Sequence, residues 1–293
     1  MTRDANSQPW TILKTLQWTA RHFKEKGIDQ PRPAAEILLA HLLDCQRIDL
    51  YLRYDQPLNQ GELSRFRNMI RRRTSREPVA YITGHREFWS LDFEVTPDVL
   101  IPRPETERLV EIVLERCAPR TPLRALDAGV GSGAISVALA SERPHWTIVA
   151  VDVSPKALAV AQRNAARNGC ADAIGLFAGN WFDPIGLQGK PFDLIVSNPP
   201  YISSGQLPTL DPEVNRFEPL LALDGGKQGM HCIAHLIHTA PAHLKPGGYL
   251  FIEIGHDQGP ATMTLGNASG AYTNVTIHKD YAQRNRVAQL TKR

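Results

Sequence analysis

Leu126-Asp127-Ala128-Gly129-Val130-Gly131-Ser132-Gly133 is the stretch of sequence that decides the fold. Apolar residues before it predict a strand, the residues after it predict a helix, and its glycines lie in the turn between them. Glycine lets a backbone approach a bound molecule closely, and the first turn of a helix offers free N–H groups. The stretch therefore predicts a strand–turn–helix unit whose turn faces a ligand.

Strands and helices alternate from about residue 122 onward. Ser154, Pro155 and Gly169 are typical of the cap, the first turn and the C-terminal end of one helix. The alternation predicts an α/β fold, a Rossmann-like, mostly parallel sheet with helices on both faces. We expect strands at 123–128, 147–152, 175–178, 192–197 and 249–254, helices at 133–141, 155–168, 229–243 and about 259–265, and an edge hairpin at 275–277 and 286–288.

The strand at 192–197 ends in Asn198-Pro199-Pro200-Tyr201. Neither proline has a backbone N–H, so the strand ladder stops and the Pro199 carbonyl can point at a ligand. The Asn198 side chain adds a donor and an acceptor, and Tyr201 adds a flat aromatic face. These groups suit a planar –NH2 group, so the tetrapeptide predicts group transfer onto a weakly nucleophilic planar nitrogen.

Asp152 ends the second strand, 19 residues after Gly133. A carboxylate there can accept hydrogen bonds from both ribose hydroxyls, which predicts an adenosyl cofactor. The glycine spacing alone also fits a dinucleotide-binding turn. The alternative without a ligand is a purely structural glycine turn, with Asp152 capping the next helix. A pyridine-nucleotide enzyme has no use for an amino-group clamp, so the tetrapeptide favours S-adenosylmethionine.

The N-terminal region predicts a small helical bundle, domain 1–78. Its first helix has an apolar stripe of Trp10, Leu13, Leu16, Ala20 and Phe23. A second helix covers 34–43, and a third carries Leu63, Phe66, Met69 and Ile70 on one face.

The opposite face of the third helix carries Arg65, Arg67, Arg71, Arg72 and Arg73, with Arg76 just beyond. Such a run is usually a solvated face, and the alternative is a docking surface for an acidic or RNA-associated partner. Alternating apolar residues at 91–95 then predict a β-hairpin linker at 79–103. Residues 104–293 are the third predicted domain, which contains the alternating strands and helices described above.

Composition excludes several classes of protein. The 293 residues are 42% hydrophobic and 22% charged with a net charge of +3, which is typical of a globular chain and too weakly basic to demand a nucleic acid. No signal-like N-terminus or apolar run of about 18 residues is present, so no membrane segment is expected. Cys45, Cys117, Cys170 and Cys232 have no paired spacing and indicate reduced thiols in a cytoplasmic protein.

A histidine cluster on the helix at 229–243 is the one pattern with metal-site spacing. His231 and His235 stand at i and i+4, with Cys232 and His238 nearby. Apolar residues share that helix and no acidic third ligand is adjacent, so we expect packing or surface histidines and no metal.

Together these segments resemble the class I S-adenosylmethionine-dependent methyltransferases. The chain most closely resembles the protein-glutamine methyltransferases (HemK/PrmC family) that modify peptide chain release factors. The likeness covers almost the whole chain and is carried by Arg76-Glu77-Pro78, Arg86-Glu87-Phe88-Trp89, Leu100-Ile101-Pro102-Arg103-Pro104-Glu105-Thr106-Glu107, Ser197 to Tyr201, Phe217-Glu218-Pro219 and Glu253-Ile254-Gly255.

The resemblance implies a role for each site residue. Gly129, Val130, Gly131, Ser132 and Gly133 would hold the methionine part of the cofactor, Asp152 its ribose and Trp181 its adenine. Asn198, Pro199, Pro200 and Tyr201 would hold the substrate glutamine, with Asn198 also bordering the cofactor. Phe88, Pro102 and Arg103 would shape the pocket.

Three positions depart from the family pattern. Val130 stands where threonine is common, Asn180 where aspartate usually precedes the tryptophan, and Ala282 where glycine is common. Val130 removes a hydroxyl contact, and Asn180 removes a charge but keeps an acceptor.

The expected reaction is methyl transfer to the glutamine of the Gly-Gly-Gln motif of release factors. Methylation of an exocyclic amino group in DNA or rRNA is a second candidate, because adenine presents the same planar –NH2. A non-catalytic module that binds the cofactor or a translation factor is a third, from a different class.

Overall fold

The computed structural model describes residues 9–118, 121–186 and 189–293. The chain divides into two compact units, Met1–Gly84 with Pro212–Phe217 and His85–Asp211 with Glu218–Arg293. None of the helices in the described ranges has the length and apolar character needed to cross a membrane.

The first unit is a bundle of helices, as the sequence predicts. Its core consists of buried side chains that include Leu16, Phe23, Leu38 and Phe66. The helices are α1 (Ile12–Glu25), α2 (Pro31–Leu42), α3 (Asp49–Leu52), α4 (Gln60–Thr74) and α5 (Val79–Thr83).

The buried face of α1 differs from the predicted stripe. Trp10 and Leu13 are 38% and 37% exposed, whereas Thr15 and Thr19 are buried with Leu16. Trp10 lies before the helix, since Thr11 is its N-cap. The predicted stripe includes Trp10 as a helical residue. The observed buried face consists instead of Ile12, Thr15, Leu16, Thr19 and Phe23.

The arginine cluster of α4 is split between surface and interior. Arg65, Arg67 and Arg71 are exposed, whereas Arg73 is buried and its guanidinium lies 2.8 Å from the Glu213 carboxylate. Arg73 follows Phe66 by seven residues, so the helical repeat places it on the buried face. The prediction of one arginine face was therefore wrong for Arg73.

The second unit begins with a hairpin and a helix. Strand β1 (His85–Phe88) pairs antiparallel with β2 (Leu91–Glu94), and α6 (Pro104–Arg116) follows. The rings of Phe88 and Phe93 pack edge to face with centroids 5.9 Å apart.

A seven-stranded sheet forms the centre of this unit, with strand order β5-β4-β3-β6-β7-β9-β8. The pairs β3–β4, β4–β5, β3–β6 and β6–β7 are parallel, whereas β9 pairs antiparallel with β7 and β8. The edge hairpin is confirmed. The strands are β3 (Arg124–Ala128), β4 (Thr147–Asp152), β5 (Ile174–Ala178), β6 (Phe192–Ser197), β7 (Leu244–Glu253), β8 (Tyr272–Lys279) and β9 (Asn285–Lys292).

Helices cover both faces of this sheet. Ser154 caps α8 through a 3.2 Å hydrogen bond from Ala157 N–H, and Gly169 beyond its end has φ of +69°. The predicted α/β fold is confirmed. The short helices α3, α5 and α9 (Pro212–Phe217), all three in the first unit, were not predicted. The remaining helices of the second unit are α7 (Ala134–Glu142), α8 (Pro155–Arg167), α10 (His231–Thr239) and α11 (Gly259–Ala268).

The strand order reverses between β3 and β6. The chain runs outward from β3 through β4 to β5 on one side, and from β6 to β7 on the other. Adjacent parallel strands whose connections leave in opposite directions open a crevice at their carboxyl ends. The glycine turn follows β3 and Asn198 follows β6, so both border this crevice.

Glu36 of α2 holds the bundle together through three hydrogen bonds. It is buried and accepts from Arg32, Arg47 and Tyr51. Burial opposes its ionisation, but the bonds from Tyr51, Arg47 and Arg32 outweigh that effect and lower the Glu36 pKa to about 2. Its stabilising contribution is complete above the unfolded pKa of about 4.3 and is lost as the pH falls towards 2.

Replacing Glu36 with Gln is expected to destabilise the first unit by about 2 kcal/mol at pH 7, because hydrogen bonds to a charged group are weakened. Hydrogen–deuterium exchange of the α2 amides measures this loss locally. The difference from the unsubstituted protein should shrink below pH 4. The exposed Glu25→Gln change is the matched control, and equal effects of the two substitutions would contradict the role of Glu36.

Candidate active site

The glycine turn after β3 is held open by its backbone conformation. Gly129, Gly131 and Gly133 have φ of +86°, +55° and +84°, a region that favours glycine. The Val151 carbonyl accepts hydrogen bonds from Gly129 and Val130 N–H at 2.8 and 3.0 Å. The turn is therefore anchored to β4.

Space is also restricted around Gly133. A Cβ atom there would lie 3.3 Å from the Cα and Cβ of Ala161. One on Gly129 would lie 3.4 Å from the Trp181 ring, which is an ordinary contact distance. Packing therefore adds to the requirement for glycine at position 133, whereas at position 129 the requirement comes from φ.

Asp152 ties the end of β4 to the glycine turn. One carboxylate oxygen accepts from Gly131 N–H at 2.9 Å and the other from Ser154 N–H at 2.8 Å. A carboxylate oxygen has more than one acceptor site, so each can accept a further hydrogen bond. Asp152 also binds the N-cap residue of α8, Ser154, which is part of the helix-capping role given above as an alternative.

One cavity of about 380 Å³ brings most of the predicted site residues together. Gly133, Pro199 and Tyr201 are not in its lining, and Phe88 lies in the core against Phe93. Pro102 and Arg103 are on the wall, as are two of the departures from the family pattern, Val130 and Asn180. The predicted cofactor and substrate residues in the lining are Gly129, Val130, Gly131, Ser132, Asp152, Trp181, Asn198 and Pro200.

The Asn198-Pro199-Pro200-Tyr201 segment, hereafter the tetrapeptide, is held by close backbone packing. A Cβ on Gly225 would lie 2.7 Å from the Pro200 carbonyl oxygen, and one on Gly229 would lie 2.3 Å from that of Tyr201. The Gln258 side chain donates a 2.8 Å hydrogen bond to the Tyr201 carbonyl. The segment is thus fixed by contacts distant in sequence.

The polar side chains of the tetrapeptide meet two residues that sequence reasoning did not single out. Asn198 Nδ2 donates to Thr106 Oγ1 at 3.1 Å, and Thr106 Oγ1 donates to Glu253 at 2.7 Å. The Tyr201 hydroxyl donates to the other oxygen of Glu253 at 3.2 Å. The only sequence signal for Thr106 and Glu253 was their presence in segments that carry the family resemblance.

A second buried carboxylate supports the wall of the cavity. The Glu218 carboxylate accepts hydrogen bonds from the Arg103 guanidinium at 2.5 Å and from the Ile101 N–H at 3.3 Å. Burial raises the pKa of Glu218, and Arg103 opposes that rise. The carboxylate therefore orients Arg103, which lines the cavity.

The helix α10 histidines do not converge on one point. His231 and Cys232 line the cavity, whereas His235 lies beside Trp181 and Phe182 with ring centroids 6.2 Å away. Within the parts of the chain that the structure describes, no three His, Cys, Asp or Glu side chains are grouped to hold a metal ion.

Comparisons with known proteins identify the class first. A profile of the methyltransferase small domain matches residues 106–210, and one of the PrmC N-terminal domain matches residues 14–84. A methyltransferase from Pyrococcus furiosus has a TM-score of 0.52 at 20% identity over 80% of this chain and 98% of its own. The hMettl16 catalytic domain, solved with an MAT2A 3′UTR hairpin, has a TM-score of 0.55 at 16% identity over 79% and 82%. Identities this low show a shared fold, that of a class I methyltransferase.

Closer relatives identify the family. Release factor glutamine methyltransferase of Geobacter sulfurreducens is 47% identical over 89% of this chain and 90% of its own length. The proteins of the same name from Moorella thermoacetica and Rhodopirellula baltica are 44% and 39% identical, covering 94% and 100% of this chain and 96% and 100% of their own lengths. The chain belongs to the release factor glutamine methyltransferase family, which confirms the resemblance.

Asp127, two residues before the glycine turn, is a buried acid that is hydrogen-bonded to Ser136. It is fully buried, and one oxygen accepts from the Ser136 hydroxyl at 2.6 Å. The other oxygen has no partner among the residues described. Burial raises the pKa of Asp127 to about 7, against the effect of Ser136.

A raised carboxyl pKa means that the folded protein holds a proton that the unfolded chain has lost. The free energy of unfolding should therefore fall as the pH rises from about 4 to about 7. The Asp127→Asn change should flatten this part of the curve and stabilise the protein at pH 8. Urea denaturation at several pH values measures the effect. Exposed Asp172→Asn is the control, and the same slope in all three proteins would contradict a protonated Asp127.

Proposed function

We propose that this protein transfers a methyl group from S-adenosylmethionine to the side-chain amide nitrogen of the glutamine in the Gly-Gly-Gln motif of peptide chain release factors. The observation that carries the proposal is that Asn198 and Gly129 line one cavity at the β3–β6 crevice. A glycine turn for the cofactor and an amide-binding asparagine in one cavity can bring the methyl donor and the methyl acceptor together. The curated relatives bearing this activity in their names support the choice of acceptor.

S-adenosylmethionine fits the chemistry of the cavity walls, and when bound it supplies an electrophilic methyl group on a sulfonium. We assign Gly129 to Gly133 to its methionine part, because their turn lets the backbone approach closely. The acceptor sites of Asp152 suit the ribose hydroxyls, and the Trp181 ring suits the adenine. Asn198 borders both the cofactor and the substrate.

The residues of the tetrapeptide would hold and orient the substrate amide. A glutamine nitrogen is a poor nucleophile because its lone pair is delocalised into the carbonyl. Asn198 Oδ1 and the Pro199 carbonyl would accept hydrogen bonds from the two amide N–H groups and increase electron density on the nitrogen, while Tyr201 packs nearby. The nitrogen loses one of its two protons as or after it gains the methyl group. Fixed orientation contributes roughly 7 to 11 kcal/mol in well-oriented intramolecular reactions, so a contribution of several kcal/mol is expected here.

The first unit would dock the release factor as a domain of about residues 1–78, joined through the 79–103 hairpin region to the methyltransferase domain at 104–293. A groove on this unit is lined by Trp18, His22, Lys26, Arg67 and Arg71, among others. The Trp18 and His22 rings stack at 5.0 Å. Exposed cations beside aromatic rings suit an acidic protein surface. Because release factors act on ribosomes, we place the protein in the cytoplasm.

The decisive experiment incubates the protein with labelled S-adenosylmethionine and release factor, and maps the modified residue by mass spectrometry. Label on the glutamine of Gly-Gly-Gln supports the proposal. Parallel reactions contain DNA or rRNA, and label there instead would favour the nucleic-acid alternative. Cofactor binding with no transfer to any substrate would favour a non-catalytic module.

The Asn198→Ala change is expected to abolish turnover, a loss of at least about 10²-fold in kcat, because the substrate amide is no longer oriented. Cofactor affinity, measured by calorimetry, should stay nearly intact. Asp152→Asn is the matched variant with the opposite expectation, cofactor affinity reduced by about tenfold or more through loss of charge-assisted hydrogen bonds. Comparable loss of turnover and cofactor binding in Asn198→Ala would contradict its assigned role.

Reversing charge in the groove tests docking. The double change Arg67→Glu and Arg71→Glu is expected to raise KM for release factor by roughly tenfold at low salt while kcat is retained, because electrostatic steering is lost. The difference in KM between the double variant and the unsubstituted protein should become smaller as salt is added. Arg65→Glu, an exposed arginine of α4 that does not line the groove, is the control. Equal KM changes in both variants would contradict docking at this groove.

A further inference from the structure

Glu253 is a buried carboxylate that touches the tetrapeptide from outside the cavity. It ends strand β7 and is 1% exposed. Its two oxygens accept one hydrogen bond from Thr106 and one from Tyr201. Glu253 does not line the cavity, so any influence on the substrate must pass through these partners.

Hydrogen-bond polarity determines what Thr106 can do for Asn198. An ionised carboxylate only accepts, and a threonine hydroxyl has a single hydrogen. With that hydrogen donated to Glu253 at 2.7 Å, Thr106 Oγ1 can only accept from Asn198. The group of Asn198 that faces Thr106 must therefore be Nδ2, as observed at 3.1 Å.

This polarity leaves Asn198 Oδ1 on the side of the amide away from Thr106. An acceptor is what a substrate –NH2 group requires. If the Asn198 amide were turned over, its own –NH2 would meet the –NH2 of the substrate, and two donors cannot bond. The orientation of one amide thus separates a productive site from an unproductive one.

The acceptor role of Glu253 rests on the two hydroxyl groups that face it. The Thr106 hydroxyl donates to one carboxyl oxygen at 2.7 Å and the Tyr201 hydroxyl to the other at 3.2 Å. Burial raises the pKa of Glu253, and Thr106, the nearby Arg286 guanidinium and Tyr201 limit that rise, while Glu105 adds to it. Arg286 also binds Asp280 at 3.3 Å, so it is held near Glu253.

We propose that Glu253 is a positioning residue which, through the Thr106 hydroxyl, fixes the Asn198 amide with its oxygen directed to the substrate. The inference deepens the proposed function and rests on it. Tyr201 is held by the same carboxylate, so both polar side chains of the tetrapeptide are oriented from one point. Neither Glu253 nor Thr106 is assigned contact with the reacting atoms.

The test combines substitutions that remove parts of the Glu253–Thr106–Asn198 chain. Thr106→Val keeps the shape but removes the hydroxyl, and it is expected to lower kcat by about 10²-fold, because a misoriented contact can cost that much. KM for release factor should change far less, since docking is unaffected. Thr106→Ser keeps the hydroxyl and should restore most of kcat.

Glu253→Gln should also lower kcat, because an amide can present either a donor or an acceptor to Thr106. The double variant Thr106→Val with Glu253→Gln should lose less than the product of the two single losses, since both act through one chain. Losses that simply multiply, or an unchanged kcat in Glu253→Gln, would overturn the proposal.

Two controls separate positioning from folding. Thr262 is a buried threonine whose hydroxyl has no partner among the described residues, so Thr262→Val measures the general cost of a buried valine. It should leave kcat unchanged. Calorimetric titration with S-adenosylmethionine should give the same affinity in every variant, and thermal unfolding reports whether each is folded. If Thr106→Val fails to fold, Thr106→Ala takes its place.

The outcome is distinguishable from failure of the proposed function. If the unsubstituted protein does not methylate release factor, the function itself is wrong. If it does, and Thr106→Ser behaves like Thr106→Val, the function stands and the positioning role of Glu253 is wrong.

Discussion

The parallel pairing of β3 with β6 is the constraint on which the rest of the site depends. It aligns Asp127 with Val196 and so brings the ends of two strands, 69 residues apart, side by side. The Ser197 hydroxyl donates a 2.6 Å hydrogen bond to the Ala128 carbonyl immediately before the glycine turn. Because both connections then leave in opposite directions, the crevice between them stays open for a ligand.

Buried carboxylates surround this crevice, and their partners differ. Glu218 orients Arg103, Glu253 binds Thr106 and Tyr201, and Asp127 holds only Ser136. In the protein interior, where the dielectric constant is low, a buried polar group without a hydrogen-bond partner costs free energy. A buried carboxylate therefore restrains the side chains that donate hydrogen bonds to it. None of these three acids lines the cavity, so they act on it only through the residues that they bind.

Much of the fold could be predicted because it depends on local periodicity. Strand β4 and strand β6 have the bounds that the sequence indicates, and Ser154 and Gly169 mark the ends of α8. Errors arose at a helix boundary, since Trp10 lies before the N-cap of α1, and at Arg73, which is buried beside Glu213, a partner far away in the sequence. The helix α9 was not predicted, because its six residues are too few to show a repeat.

By itself, the sequence determined the alternating α/β architecture, the glycine turn and the donor, acceptor and aromatic groups that follow β6 at Asn198 to Tyr201, since residue type and spacing along the chain express these directly. Only the tertiary structure decided which buried acid meets which donor. Thr106 and Glu253 are 147 residues apart, and Arg103 and Glu218 are 115 apart. No local pattern links residues at such separations, because their contact exists only after the sheet has brought distant strand ends together.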